Sequence, residues 1–318
     1  MGKMIENLRW KPRWTSHMGC LKGCLECLGM DISDAWLYGA TGHAFIINIH
    51  EVVCPSGPTA WNTEMLFKLG GNIGYVVDGV VGFKSKPGFA EKQREAWEMT
   101  KRAIDEGVPC YGWELEIPEY YVVYGYDDEG YYFSGPGCES GKGPKPWQEL
   151  GDTAIGVLEM YTVKLGQPAD DVTAVKEALE FAAERSKSPA KWILPKHKSG
   201  LAGYDAWIHA LKSGTAHAVG MAYNAAVWSE CRRFAIEFLK EAKNRLPGEL
   251  APRLDEAAHH YSIVAENLAK VRELFPFPPK GEEVKDRDRC ELALKSLAAA
   301  KNAEALGLQA LSELVARL

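Results

Sequence analysis

At Gly166-Gln167-Pro168 the chain changes its repeat, and that change limits the folds open to it. Before it, aromatic and β-branched residues come in short runs of near period two, at 108–116, 120–126 and 131–133, with Asp127-Asp128-Glu129-Gly130 as a hairpin turn. From Asp170 onward apolar residues recur every three to four positions, which predicts helices over 170–186, 200–213, 216–245, 251–274 and 286–316. The breaks fall at Ser188-Pro189, Leu246-Pro247-Gly248 and Phe275-Pro276-Phe277-Pro278-Pro279. A set of helices with no strands needs a partner surface for its apolar stripes, so the sequence predicts an α+β domain over 1–165 followed by an all-α domain over 166–318.

Within the first part, residues 15–29 read as a helix that Thr15 or Ser16 can cap and that a left-handed Gly29 ends. His17, Cys20, Cys24 and Cys27 fall at i, i+3, i+7 and i+10, one face of that helix. Residues 1–15 read as an arm across the body, 34–48 as strand-like, 60–69 and 89–105 as helices, and 73–83 as a strand pair interrupted at Gly79. Gly135 to Pro146 reads as loop and 153–163 as one further strand.

Bulk chemistry removes several functions. Thirty-seven basic against 43 acidic residues give a net charge of −6, with no basic block, which speaks against a nucleic-acid binder. No apolar run approaches the ~20 residues of a membrane helix, and the N-terminus lacks the apolar core of a signal peptide, so a cytoplasmic protein is expected. There the eight cysteines are expected to be free thiols.

The stretch Gly-Cys opening the first helix, then LGMDISDAWLYGATG and PEYYVVYGYDDEGYYFSGP, resembles the butirosin biosynthesis protein H N-terminal family, which is related to the papain-like fold of double-glycine leader peptidases. GLAGYDAWIHAL and AYNAAVWSECRRFAIEFL are similar to the helical domain that accompanies this module in many bacterial proteins. The resemblance implies a papain-like domain with an antiparallel sheet, and an acyltransferase or amidohydrolase that moves an acyl group from a thioester or amide through a cysteine. Its partners would be a small-molecule, peptide or acyl substrate and an acyl carrier protein, with no nucleic acid, membrane, metal or cofactor. A homodimer is one arrangement open to the helical domain.

In that fold the nucleophile stands at the start of the first helix, where the dipole favours a thiolate. Cys20 is the nearest cysteine, and counting back from Gly29 places the family position closer to Ser16. The family's base is the His of a P-H-x-V-V-V pattern; here Glu119 follows Pro118, and Gly135 stands where the orienting Asp belongs. A carboxylate cannot form the thiolate–imidazolium pair, so two alternatives follow: acyl chemistry with a rebuilt base, or a lapsed fold that binds a small molecule or peptide without turnover.

Cys20, His43 and Glu119 are therefore the candidate catalytic residues, with Ser16, His17, Cys54, Trp113 and Tyr120 as candidate substrate contacts. His43 stands at a Gly-rich turn, where it is either a replacement base or a core-bonded histidine. Glu119, read on a central strand facing Cys20, is expected to rise in pKa if buried, or else to be a half-exposed carboxylate bonded to an aromatic. Cys20-x3-Cys24-x2-Cys27 also has the spacing of a radical S-adenosylmethionine cluster motif, against the alternative of small thiols on a packing face. His50, Glu51 and Cys54 adjoin Pro55-Ser56-Gly57, which is either half of a metal site or a rigid turn.

Overall fold

The structure, a computed structural model, describes residues 2–187 and 190–318. The chain divides into two compact units, Met1–Ser33 with Gly74–Pro168, and Asp34–Ile73 with Ala169–Leu318. The expected break at Ser188-Pro189 lies outside the described residues.

The first unit is built on a seven-stranded antiparallel sheet. Its strands run in the order Tyr75–Phe83, Val157–Leu165, Cys110–Trp113, Tyr120–Tyr126, Gly130–Ser134 and Lys142–Pro146, and Lys3–Met4 pairs with Tyr120–Tyr126 as well. Register sets the faces: Tyr111 opposes both Tyr161 and Val122, and Trp113 opposes Tyr120, so these aromatic side chains share one face. The helix Ser16–Cys27 lies there, with His17 against Tyr111, Tyr120 and Tyr161. The helix Phe89–Asp105 packs on the other face, where Trp97 meets Tyr131 edge to face.

The Ser16–Cys27 helix ends as the sequence requires: Gly29 has φ +79, its N–H bonds Glu26 O at 3.0 Å, and Met30 N–H bonds Leu25 O at 2.9 Å. The arm crosses the helix at Gly19 and Gly23, where an added Cβ would lie 2.3 Å from Lys11 O and 2.1 Å from Arg9 O. Within 73–83 one unbroken strand, Tyr75–Phe83, forms; Gly79 does not interrupt it, because its missing side chain leaves room for Tyr161 on the neighbouring strand. The 135–146 loop contains one strand, Lys142–Pro146.

The second unit is helical, with Asp171–Ser186, Gly200–Ser213, Ala218–Arg245, Ala251–Leu274 and Arg287–Val315 close to their expected bounds. Asp170 and Asp286 cap two of these by accepting from Thr173 N and Arg289 N. Residues 34–48 depart from the strand expectation, forming the helix Asp34–Ala40, a 3-10 turn His43–Phe45 and the short strand Asn48–His50. The reason is tertiary. Gly39 packs on the Phe238 ring, and the buried Arg232 guanidinium donates to Ala44 O, Phe45 O and Ile46 O while pairing with Glu304 at 2.7 Å. Residues 34–73 consequently belong with the helices and not with the sheet that precedes and follows them. The helix expected over 60–69 runs Glu64–Asn72. A two-stranded sheet pairs Asn48–His50 with His197–Ser199, a strand the helical period concealed.

Candidate functional site

Three of the expected site residues meet in the first unit, though not as a thiol site. Ser16 is the first residue of its helix, and its hydroxyl donates to Glu119 Oε2 while accepting from Tyr120 N–H at 2.9 Å. Glu119 lies in the turn before the strand Tyr120–Tyr126, half-buried, and not on the strand itself. That turn is closed by a Glu114 N–H bond to Glu119 O of 2.8 Å, with Glu114 at φ +57. The pair fixes the helix start to the strand start and sets a carboxylate at the positive end of the helix. Thr15 occupies the cap position without a side-chain cap bond.

Cys20 lies one turn further in and is fully buried. Burial, then the neighbouring Cys24 and Glu119, push its thiol well above the usual range. A nucleophile needs the reverse, an exposed sulfur with a stabilised thiolate. In this structure Cys20 is enclosed among packed side chains. Cys24 is buried likewise, while Cys27 is half-exposed and faces Asn7. Among the described residues no three His, Cys, Asp or Glu side chains are grouped to hold a metal ion.

His17 bonds Tyr111 Oη at 3.0 Å and stacks on Tyr120 with centroids 4.1 Å apart. Trp113 is buried against Tyr120. Instead of lining an open cleft, His17, Trp113 and Tyr120 form a closed aromatic layer, because the helix covers the face on which they stand.

His43 and Cys54 belong to the other compact unit. His43 is a core histidine: its Nδ1 meets Cys231 Sγ at 3.6 Å, and burial first, then the charges of Arg185 and Arg232, hold its pKa down to about 3. Its neutral form is favoured and the ring is enclosed, the core-bonded arrangement that was one of its two readings.

Cys54 stands in a different constellation. The register His50↔His197 carries the loop after His50 alongside His197. Cys54 Sγ lies 2.9 Å from Ser56 Oγ, which lies 3.0 Å from His197 Nε2, and His197 Nδ1 lies 3.1 Å from Pro195 O. A carbonyl can only accept, so Nδ1 carries the proton and Nε2 accepts from the Ser56 hydroxyl. Ser56 Oγ is then free to accept from the Cys54 thiol, giving a directed chain from thiol to hydroxyl to imidazole. Burial is the main cause lowering the His197 pKa, which keeps the ring neutral and able to take a proton. Cys54 and Ser56 are half-exposed.

The backbone around this chain is strained and held. Among the described residues, three non-glycine residues have positive φ, and two of them directly precede members of the chain: Val53 at +51 before Cys54, and Lys196 at +67 before His197. Such conformations cost about 1–3 kcal/mol each and persist only where packing imposes them. Here Asn224 Nδ2 donates to Cys54 O at 3.1 Å, Asn48 Nδ2 donates to Gly57 O at 2.8 Å, and His217 N–H donates to Val52 O at 3.0 Å. A Cβ at Gly57 would sit 2.4 Å from Asn224 Oδ1, and one at Gly220 1.7 Å from Val53 O.

Ser56 and His197 were not among the candidates read from the sequence. They are 141 residues apart, and what joins them is the pairing of two three-residue strands. Comparison of the sequence with protein-family models and with curated proteins gives no match.

Proposed function

We propose that the protein performs thiol-dependent acyl transfer or hydrolysis on a thioester or amide, with Cys54 as nucleophile, Ser56 as proton relay and His197 as base. The hydrogen-bond chain Cys54–Ser56–His197 carries this reading. The thiol is far more acidic than the serine hydroxyl, so the net proton movement along the chain is from sulfur to imidazole. As Cys54 sulfur attacks the acyl carbonyl carbon, its proton passes to Ser56 Oγ and the Ser56 proton passes to His197 Nε2. Collapse of the adduct breaks the bond to the leaving thiolate or amine, which takes the proton from His197. Acyl-Cys54 is then discharged to an amine or water, with His197 accepting the proton of the attacking group and returning it through Ser56 to the departing Cys54 thiolate. The resemblance to acyltransferases supports the reaction class, although it pointed to the first helix.

The test is incubation with an N-acetylcysteamine acetyl thioester, an acid quench and peptide mass spectrometry. An acetyl group on Cys54, released by neutral hydroxylamine, is expected; C54A removes it, and H197Q slows its formation about 10²–10⁴-fold. Acetylation on Ser56 or unchanged turnover in C54A overturns the assignment. The reading as a lapsed fold is favoured by one observation, the engagement of Ser16 by Glu119 where the resemblance expects a nucleophile and base. It predicts no adduct at any cysteine.

A further inference from the structure

Two arginines are buried in the helical unit, and they are treated in opposite ways. Arg232 pairs with Glu304 through two nitrogens and fills its remaining donors with three backbone carbonyls. Arg185, 1% exposed, has Nε, Nη1 and Nη2 all sealed from solvent, and none has a hydrogen-bond or ion-pair partner among the described residues. A guanidinium carries five donors in a fixed fork and keeps its charge, so burying it without an acceptor is among the most costly arrangements in a protein interior.

No ion pair among the described residues supplies the missing charge. The guanidinium carbon lies 5.0 Å from the centre of the Trp61 ring, which offers its π face. Arg185 is in the last turn of Asp171–Ser186, where the helix dipole contributes about half a negative charge. Neither provides an oxygen for the nitrogens. The same Trp61 ring stands 5.9 Å from the His43 ring, centroid to centroid, and the positive charge of Arg185 pushes both His43 and His197 further down. Burial lowers Arg185 itself to about 9.

We propose that Arg185 is the anchor of an anion-binding site in the helical unit, taking a carboxylate or phosphoryl group of a ligand through its guanidinium fork with Trp61 stacked against it. Carboxylate and phosphoryl oxygens both match the two parallel N–H bonds the fork presents. The site is independent of whether Cys54 turns over.

The experiment is thermal unfolding of the full chain at constant ionic strength, with chloride replaced stepwise by acetate, by malonate or by inorganic phosphate, for wild type, R185M and C54A. Wild type and C54A are expected to show a saturable rise in Tm with a carboxylate, with phosphate or with both, the arm that responds identifying the class. R185M, which removes the charge and keeps much of the volume, is expected to melt at or above wild type in chloride and to lose the response. A wild-type Tm indifferent to all three anions overturns the proposal, as does a response retained in R185M. Should R185M not fold, R185K decides by equilibrium dialysis of labelled phosphate or acetate: at least a tenfold weaker affinity than wild type supports the fork, and equal affinity overturns it. Loss of the acetyl adduct with the anion response intact would remove the acyl reading and leave this one standing.

Discussion

His43 and Cys20 show how burial changes what a reactive residue type can do. Each has the chemistry expected of a site residue, and each is enclosed so completely that its charged form is disfavoured. For His43 this has a consequence for stability. Its pKa falls from 6.5 in the unfolded chain to about 3 in the folded protein, so between those values the unfolded state binds a proton that the folded state excludes. His43 therefore costs nothing above about pH 6.5, and its burial weakens the fold by up to roughly 1.4 kcal/mol per pH unit as pH falls towards 3. H43Q, which cannot titrate, is expected to lose less stability than wild type between pH 7 and pH 5 in urea denaturation. A parallel loss in the two proteins would show that His43 is charged in the fold.

At the scale of elements, the loop joining Asn48–His50 to Glu64–Asn72 is the decisive piece. Pro55 and Gly57 mark it in the sequence as a rigid turn, and the turn is rigid, but its rigidity serves to hold Cys54 and Ser56 in line with His197. Asn48 and Asn224 are the clamps, both fully buried. G57A is expected to lower stability by about 1–3 kcal/mol, because the new Cβ meets the Asn224 side chain and the Asn48 backbone, neither able to withdraw. The same change should slow acetylation of Cys54 about tenfold or more, since a displacement of about 1 Å at a reacting group costs up to 10²-fold. Unaltered stability and kinetics in G57A would mean that the loop is plastic. The Ser16–Cys27 helix gives the complementary lesson. Its ends were readable from Ser16 and Gly29, and so was the shared face of its cysteines with packing as one of its readings, but not which of them would be buried: Cys20 and Cys24 are, and Cys27 is half-exposed.

For the whole molecule, linear order and spatial order differ. Residues 34–73 lie between two parts of the sheet unit in sequence and pack with the helices in space. A fragment of 166–318 therefore lacks the carbonyls of Ala44, Phe45 and Ile46 that Arg232 uses, and the Asp34–Ala40 helix beside Phe238. Expressed alone, it is expected to keep helical far-UV circular dichroism and lose near-UV signal, with its tryptophan environments averaged. Adding 34–73 through a flexible linker should restore the near-UV signal; a native-like signal from 166–318 alone would show the insertion to be dispensable. No helix among the described residues is long and apolar enough to cross a membrane, in line with the short apolar runs of the sequence.

The sequence by itself determined whatever depends on neighbours along the chain. Period two and the Asp127–Gly130 turn specified the hairpin, and period 3.6 with the proline-containing breaks specified five helices close to their ends. The tertiary structure decided what depends on contacts between distant residues. Residues 34–48 have aromatic and β-branched content suited to a strand, yet with burial on the Ala218–Arg245 helix and the reach of Arg232 they form the Asp34–Ala40 helix and the His43–Phe45 turn before the strand at Asn48. Ser56 and His197 acquire a shared hydrogen bond only because two short strands pair, and Arg185, without a hydrogen-bond partner among the described residues, is enclosed only because the fold closes around it. Propensity and pattern are local quantities, whereas burial and the meeting of proton donor with acceptor arise only when the chain is packed.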